Sequence, residues 1–288
     1  MSPPGRPKGE SLSAKREGSP VSGFSAEWLK LREPYDLRAR NAAVLDAVLN
    51  LLAGQPSVTL VDLACGTGST FHALSPRISA RQTWRLVDND LSLLARVSPS
   101  SPPGINVTAV PVDLNRDLEA AFDTAADLIT TSALLDLVSG DWLSRLAIAA
   151  AARRWPDYAA LSYDGRAELA PADPTDRRIV DAVNRHQRTD KGFGPALGPS
   201  AAQTAIEAFG RVGYAVSHGL ADWEFGPTDR EIQTEVLSGW AGAAREIGDP
   251  PPREIVDWLE RRRGLIAAGR SSLRVGHVDL LACPIGMR

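Results

Sequence analysis

Two glycines and two carboxylates carry the clearest chemical signal in this chain. The run Val61-Asp62-Leu63-Ala64-Cys65-Gly66-Thr67-Gly68-Ser69-Thr70 follows a β-branched, apolar segment and precedes a helical one. Gly66 and Gly68 allow a positive φ and let the backbone approach a ligand closely. Free N–H groups at a helix start then face an anion, a carboxylate or a phosphate. Asp88 stands 20 residues beyond Gly68, where the next strand ends, and a carboxylate there can accept both hydroxyls of a ribose. Gly-x-Gly alone is compatible with a tight turn that binds nothing; Asp62 and Asp88, each at a strand end, strengthen the ligand reading.

A second group of residues could act on a substrate. The densest polar run is Asn184-Arg185-His186-Gln187-Arg188-Thr189-Asp190-Lys191, followed by Gly192-Phe193-Gly194. His186 titrates nearest neutrality and is the candidate base; Asp190 lies beside it, and Arg185, Arg188 and Lys191 offer charge to an anionic group. A solvated helix end finished by Gly192 is the competing account, because charge runs usually face water. Tyr163 and Asp164 close the fifth strand at the same sheet edge, where ligands bind. Asp136 follows the fourth strand and reads equally as an acceptor contact or as a carboxylate at a helix start. His72, His218, His277 and Cys283 have no metal-ligand company and default to core or surface roles, so no metal is expected. Trp223, Trp240 and Trp258 read as packing anchors.

These residues need elements to position them. Ser57–Leu63, Gln82–Val87, Asn106–Val112, Ala126–Thr130 and Tyr158–Ser162 read as strands, with helices such as Leu91–Val97 and Trp142–Arg153 between them. Such alternation means βαβ units and a mostly parallel sheet. The polar residues Gly66, Asp88, Asp113 and Ser132 then share one edge, outside the carboxyl ends of the strands. A helical lead-in spans 24–54, with Val44, Leu45, Val48, Leu51 and Leu52 on one face and a break expected at Pro34. Residues 164–199 read as an excursion rich in Pro, Asp and Arg. Ala201–Val212 reads as a helix and Tyr214–Ser217 as a strand. Residues 228–269 add two helices around Pro250, Pro251 and Pro252, and His277–Ala282 is the last strand.

Composition bounds the function. The chain has 288 residues, 43% hydrophobic, with a formal net charge of -3. That suits one large domain and gives no general attraction to nucleic acid or an acidic membrane. Apolar stretches such as Leu146 to Ala152 fall short of the roughly 20 residues that a span requires. Cys65 and Cys283 lack disulfide or zinc spacing, which fits a reducing cytoplasm. Residues 1–23, rich in Pro, Gly, Ser, Lys and Arg, read as a disordered tail, leaving 24–288 as the folded domain.

The ligand can be narrowed. A dinucleotide fingerprint needs a third glycine where Phe71 stands, and a P-loop needs Gly-Lys-Ser/Thr, which is absent. The glycine run instead resembles motif I of the class I S-adenosylmethionine-dependent methyltransferases, with Thr70 where a third glycine often sits. Arg85-Leu86-Val87-Asp88-Asn89-Asp90 resembles the second motif, Val112-Asp113-Leu114 the third, and Ala126-Asp127-Leu128-Ile129-Thr130-Thr131-Ser132 the fourth strand. The resemblance implies a three-layer Rossmann-like α/β fold, a seven-stranded, mostly parallel sheet with helical insertions, its last two strands antiparallel. It implies S-adenosyl-L-methionine as cofactor, with Asp88 on the ribose diol, Asp113 and Leu114 at the adenine, Ser132 near the methionine part, and Asp62, Ala64, Gly66, Gly68 and Asn89 around them. The segment Trp28 to Asn41 resembles a lead-in that covers the donor, which implies Tyr35, Arg38 or Arg40 at the methionine carboxylate.

Methyl transfer from a sulfonium is an in-line displacement in which the protein mainly positions two reactants. A small polar molecule methylated on oxygen or nitrogen is the first expectation. Methylation of RNA or protein and a non-catalytic binding module are the alternatives. Against the former stand the missing Asn-Pro-Pro-Tyr motif, the missing cysteine pair and the absence of a basic face.

Overall fold

The computed structural model describes residues 24–97 and 103–286; the expected tail, 1–23, lies outside the described residues. In chain order the elements are α1 (Ala26–Ala39), α2 (Ala42–Leu52), β1 (Ser57–Leu63), α3 (Ser69–Leu74), β2 (Arg81–Asp88), α4 (Leu91–Leu94), β3 (Ile105–Pro111), β4 (Leu128–Ser132) and α5 (Gly140–Arg153). There follow β5 (Asp157–Ala170), α6 (Asp176–His186), α7 (Ala201–Arg211), β6 (Tyr214–Leu220), β7 (Trp223–Phe225), α8 (Arg230–Ile247), α9 (Pro252–Ala267) and β8 (Ser272–Pro284). Among the described residues no helix is long and apolar enough to cross a membrane.

The sheet runs β3-β2-β1-β4-β5-β8-β6. The pairs among β3, β2, β1, β4 and β5 are parallel, and β8 is antiparallel to β5, β6 and β7. β1 is central and buried along almost its whole length, as strands covered on both faces are. One face packs Leu143, Leu146 and Phe209 of α5 and α7 against Val61 and Ile129. The other packs Val44, Val48 and Leu52 of α2 against Leu60, Trp84 and Tyr158. These are the three layers.

The sheet has eight strands where seven were expected. β5 and β8 are 14 and 13 residues long and overrun the rest of the sheet. That leaves a backbone edge on β8 without partners, which β7 pairs through Trp223, Glu224 and Phe225. The excursion 164–199 therefore begins as strand, and α6 follows it. On this extension α6, α8 and α9 build a third core around Trp223, Trp240 and Trp258, joined by Trp28 of α1, so the three tryptophans are packing anchors.

A second difference concerns α1, which continues through Pro34. Proline removes one backbone hydrogen bond, but the Arg32–Asp36 pair and the packing of Trp28 on Trp223 hold the turn in register. The chain breaks at Arg40 instead, where Asn41 caps α2 by accepting the Val44 N–H at 3.1 Å. α4 is shorter than expected and stops at Leu94.

Candidate functional site

The glycine turn lies where β1 ends. Gly66 and Gly68 have φ of +55° and +91°, values open to glycine at little cost. Asp88, at the end of β2, reaches across: its Oδ2 accepts the Gly66 N–H at 2.9 Å and its Oδ1 accepts the Asp90 N–H at 2.9 Å. Burial raises its pKa, against these two backbone donors. A Cβ at Gly66 would meet Leu29 Cδ1 of α1 at 3.2 Å, so the turn and the lead-in helix approach closely. α3 has only six residues, too few for aligned peptide dipoles to matter much; the anion preference expected of a helix start falls to the turn amides alone.

Between turn and α1 is a cleft with about 840 Å3 of empty space, the open solvent at its mouth included. Ala64, Gly66, Asp88 and Asn89 line one side, Val112 and Leu114 give it an apolar wall, and Ser132, Ala133 and Leu134 close the far end. Leu29, Arg32 and Asp36 roof it from α1. Ala64 and Ala133 both hold a φ of +51°, a strained setting for alanine that concentrates at ligand sites.

Six of the ten residues expected at the cofactor line this cleft: Ala64, Gly66, Asp88, Asn89, Leu114 and Ser132. Gly68 shapes the turn without lining it. Asp62 lies beneath it, fully buried; its Oδ1 accepts from Thr130 Oγ1 at 2.8 Å and its Oδ2 has no partner. Burial pushes its pKa up to about 7, opposed by Thr130 and by the Arg40 charge. Asp113 turns away, accepting the Asn115 N–H at 3.0 Å and approaching Arg116: a carboxylate in a loop finds local amides first.

Arg38 is displaced too. Its guanidinium stands 4.6 Å over the Tyr35 ring, and both line a separate surface groove with Asp222, Glu224 and Arg274. Arg40 is committed below the turn, donating to Tyr158 Oη at 3.2 Å and Thr70 Oγ1 at 3.5 Å. The arginine of α1 that lines the cleft is Arg32. Its Nε donates to Asp36 Oδ2 at 2.9 Å, Asp36 Oδ1 accepts from Trp223 Nε1 at 2.9 Å, and the guanidinium lies 4.8 Å over the Trp223 ring. The i,i+4 spacing of Arg32 and Asp36, beside Trp28 and Leu29, was the available signal.

None of Tyr163, His186 and Asp190 lines the cleft. His186 turns to α8, with Nε2 2.8 Å from Glu246 Oε2 and Lys191 Nζ 3.3 Å from Nδ1. Asp190 ties its own loop, accepting the N–H groups of Gly192 and Gly194 at 2.7 and 3.0 Å. Tyr163 donates to Asn184 Oδ1 at 2.7 Å, and burial with nearby carboxylates raises its pKa well above the usual phenol range. Beside it His277 is buried, its ring 6.0 Å from that of Tyr163 and 4.8 Å from that of Trp223. Its Nδ1 is 3.0 Å from the Val275 carbonyl, which makes Nδ1 the protonated nitrogen. Burial, then Arg32, pushes its pKa down to about 3. Among the described residues no cluster of His, Cys, Asp and Glu could hold a metal.

No protein-family model matches the sequence, and no curated protein does. Solved structures do. The cyclopropane-fatty-acyl-phospholipid synthase-like protein of Lactobacillus casei is 13% identical over 87% of this chain and 98% of its own, with a TM-score of 0.50. A SAM-dependent methyltransferase of Geobacter sulfurreducens in complex with S-adenosyl-L-homocysteine is 15% identical over 89% and 98%, with a TM-score of 0.43. The cyclopropane synthase MmaA2 of Mycobacterium tuberculosis is 14% identical over 83% of each chain, with a TM-score of 0.45. At these identities the likeness concerns the fold, and only the first reaches the similarity at which even that is compared. Together with the strand order described above, it gives this chain the Rossmann-like fold of class I methyltransferases.

Proposed function

We propose that the chain is an S-adenosylmethionine-dependent methyltransferase acting on oxygen or nitrogen of a small polar molecule, with residues 24–288 as one catalytic unit. The observation that carries this is the joint between Asp88 and Gly66, which sets a carboxylate and a glycine turn as one rigid wall of a cleft. Each Asp88 oxygen spends one lone pair on a backbone amide and keeps another for a ribose hydroxyl. Next to it Asn89 Nδ2 is buried without a partner, a donor that a bound nucleoside would satisfy.

The remaining cleft residues fit the rest of the donor. Val112 and Leu114 offer a dry surface to a flat base. Arg32 and Asp36 present a cation and an anion one helical turn apart, and the amino-acid end of the donor is itself a zwitterion. When bound, the donor supplies an activated methyl group. The protein's own part is to hold the acceptor in line and exclude water, for which the core of α6, α8 and α9 serves as a wall. Arg32, Asp136 and His277 near that wall favour a polar acceptor over the acyl chain that the name of the Lactobacillus casei neighbour suggests. Two free thiols, Cys65 and Cys283, fit a cytoplasmic setting.

Calorimetric titration of the full chain with S-adenosylhomocysteine tests the reading. One site per chain in the micromolar range is expected; no heat, or equal response to NAD, would sink it.

A further inference from the structure

Two walls of the donor cleft are joined by an ion pair that does not itself line the cleft. Glu33 follows Arg32 on α1, and Arg32 with Leu29 lines the cleft from that helix. His72 follows Ser69 and Thr70 on α3, which line it from the glycine turn. The two side chains meet with His72 Nδ1 2.5 Å from Glu33 Oε1. They are 38% and 25% exposed, so water can exchange protons with the pair. His72 also packs under the turn: a Cβ at Gly68 would stand 3.7 Å from its Cε1.

Elsewhere α1 is held by other means. Toward the third core Trp28 packs on Trp223, and Tyr35 Oη donates to Asp229 Oδ1 at 3.1 Å. Just past its end Arg40 donates to Tyr158 Oη and Thr70 Oγ1, and arginine keeps its charge throughout. Near its start Glu27 faces Arg96, which follows α4, at 3.5 Å. Of the side chains in these links only His72 ordinarily titrates near neutrality. The charged groups that face it are Glu33 of α1 and Asp62 of β1. The Glu33 hydrogen bond raises its pKa, burial opposes the rise, and the Glu33 and Asp62 charges add to it.

We infer that His72 and Glu33 are positioning residues: while His72 is charged they clasp α1 to α3 over the bound donor or its product, and the clasp loosens when His72 loses its proton. This rests on the methyltransferase reading above. Neither residue touches the ligand. A wall that is already in place need not be ordered by the ligand, and that raises affinity. The clasp is complete above the usual carboxylate range, where Glu33 is ionised, and is lost as pH rises through the raised pKa of His72. Product is therefore held more tightly at mildly acid pH and released more readily at alkaline pH.

The experiment is calorimetric titration of the full chain with S-adenosylhomocysteine at about pH 6 and about pH 9. Native protein, E33Q, H72Q and H72K are compared, and thermal melts check that each variant folds. Ratios between proteins at one pH remove the titration of Asp62 and Asp88, which all four share. Native protein should bind about three- to fivefold tighter than E33Q or H72Q at the acid value, the scale of a partly exposed ion pair. At the alkaline value that ratio should fall to about one. H72K stays charged to about pH 10 and should outbind H72Q at both. A native-to-E33Q ratio that is the same at both values, or H72K no tighter than H72Q at the alkaline one, would overturn the inference and leave the donor site standing. If native protein binds no S-adenosylhomocysteine at either value, the methyltransferase reading falls, and the inference with it.

Discussion

The Gly66 amide donates to Asp88 Oδ2 at 2.9 Å, which joins the end of β2 to the turn after β1. Their separation in sequence is bridged by the parallel pairing of β1 with β2, in which Leu63 sits opposite Val87. A ligand held by Asp88 is therefore also held against the turn.

D88A is expected to weaken S-adenosylhomocysteine binding by roughly 10–100-fold, because hydrogen bonds to a charged group contribute about 1.5–3 kcal/mol. It also strands the Gly66 N–H, so some loss of thermal stability should accompany it. D88N keeps one acceptor oxygen and should fall between. Equal affinity in native protein and D88A, read by calorimetry, would remove Asp88 from the site.

R32M leaves Asp36 buried with only Trp223 as partner. Breaking a buried ion pair from one side costs about 3–5 kcal/mol, so the melting temperature should drop by many degrees. The double variant R32M/D36N removes both charges and should recover most of that stability, yet not the affinity for S-adenosylhomocysteine. Recovery of both would show that the pair is structural only.

Asp157 tests burial without partners. Both carboxylate oxygens lack hydrogen bonds, and burial alone pushes its pKa from 3.8 up to about 7. A group whose folded pKa is raised binds protons more tightly when folded. Its penalty is therefore absent below about pH 4, grows between there and pH 7, and is constant above. With 1.36 kcal/mol per unit, D157N should stabilise the protein by on the order of 4 kcal/mol at pH 8 and by much less at pH 5. Urea denaturation at both values reads this; a gain independent of pH would contradict it.

Trp258 is fully buried in the third core, and its Nε1 donates to Asp176 Oδ1 at 2.8 Å. W258A should cost about 3–5 kcal/mol, as truncation of large aromatic residues does. W258F should cost less while still leaving Asp176 one donor short. Thermal melts of the pair separate packing from the hydrogen bond, and a W258A melt near native would mean that this core is loosely packed.

What could be read from the amino acids was short in range. Runs of β-branched and apolar residues mark β1 residue for residue and β2, β3 and β4 to within two. β1 and β4, buried on both faces, need such residues along nearly their whole length, while the outer β3 keeps the pattern though none of its residues is buried. Gly66, Gly68 and Asp88 announce their turn because positive φ and strand-end carboxylates are local requirements. Tertiary packing decided the rest. Asp113 and His186 have the right types in plausible places, but Asn115 and Glu246 capture them, the latter from a helix 60 residues away. α1 exposes Arg38 and buries Arg32 because the core around Trp223 covers one of its faces, and nothing within the helix says which. β7 exists because β5 and β8 grew past their neighbours. Asp136 is buried in a turn that the insertion pins through Leu197 and Gly198. Such outcomes depend on which distant surfaces meet, a competition among long-range contacts that spacing along the chain does not encode.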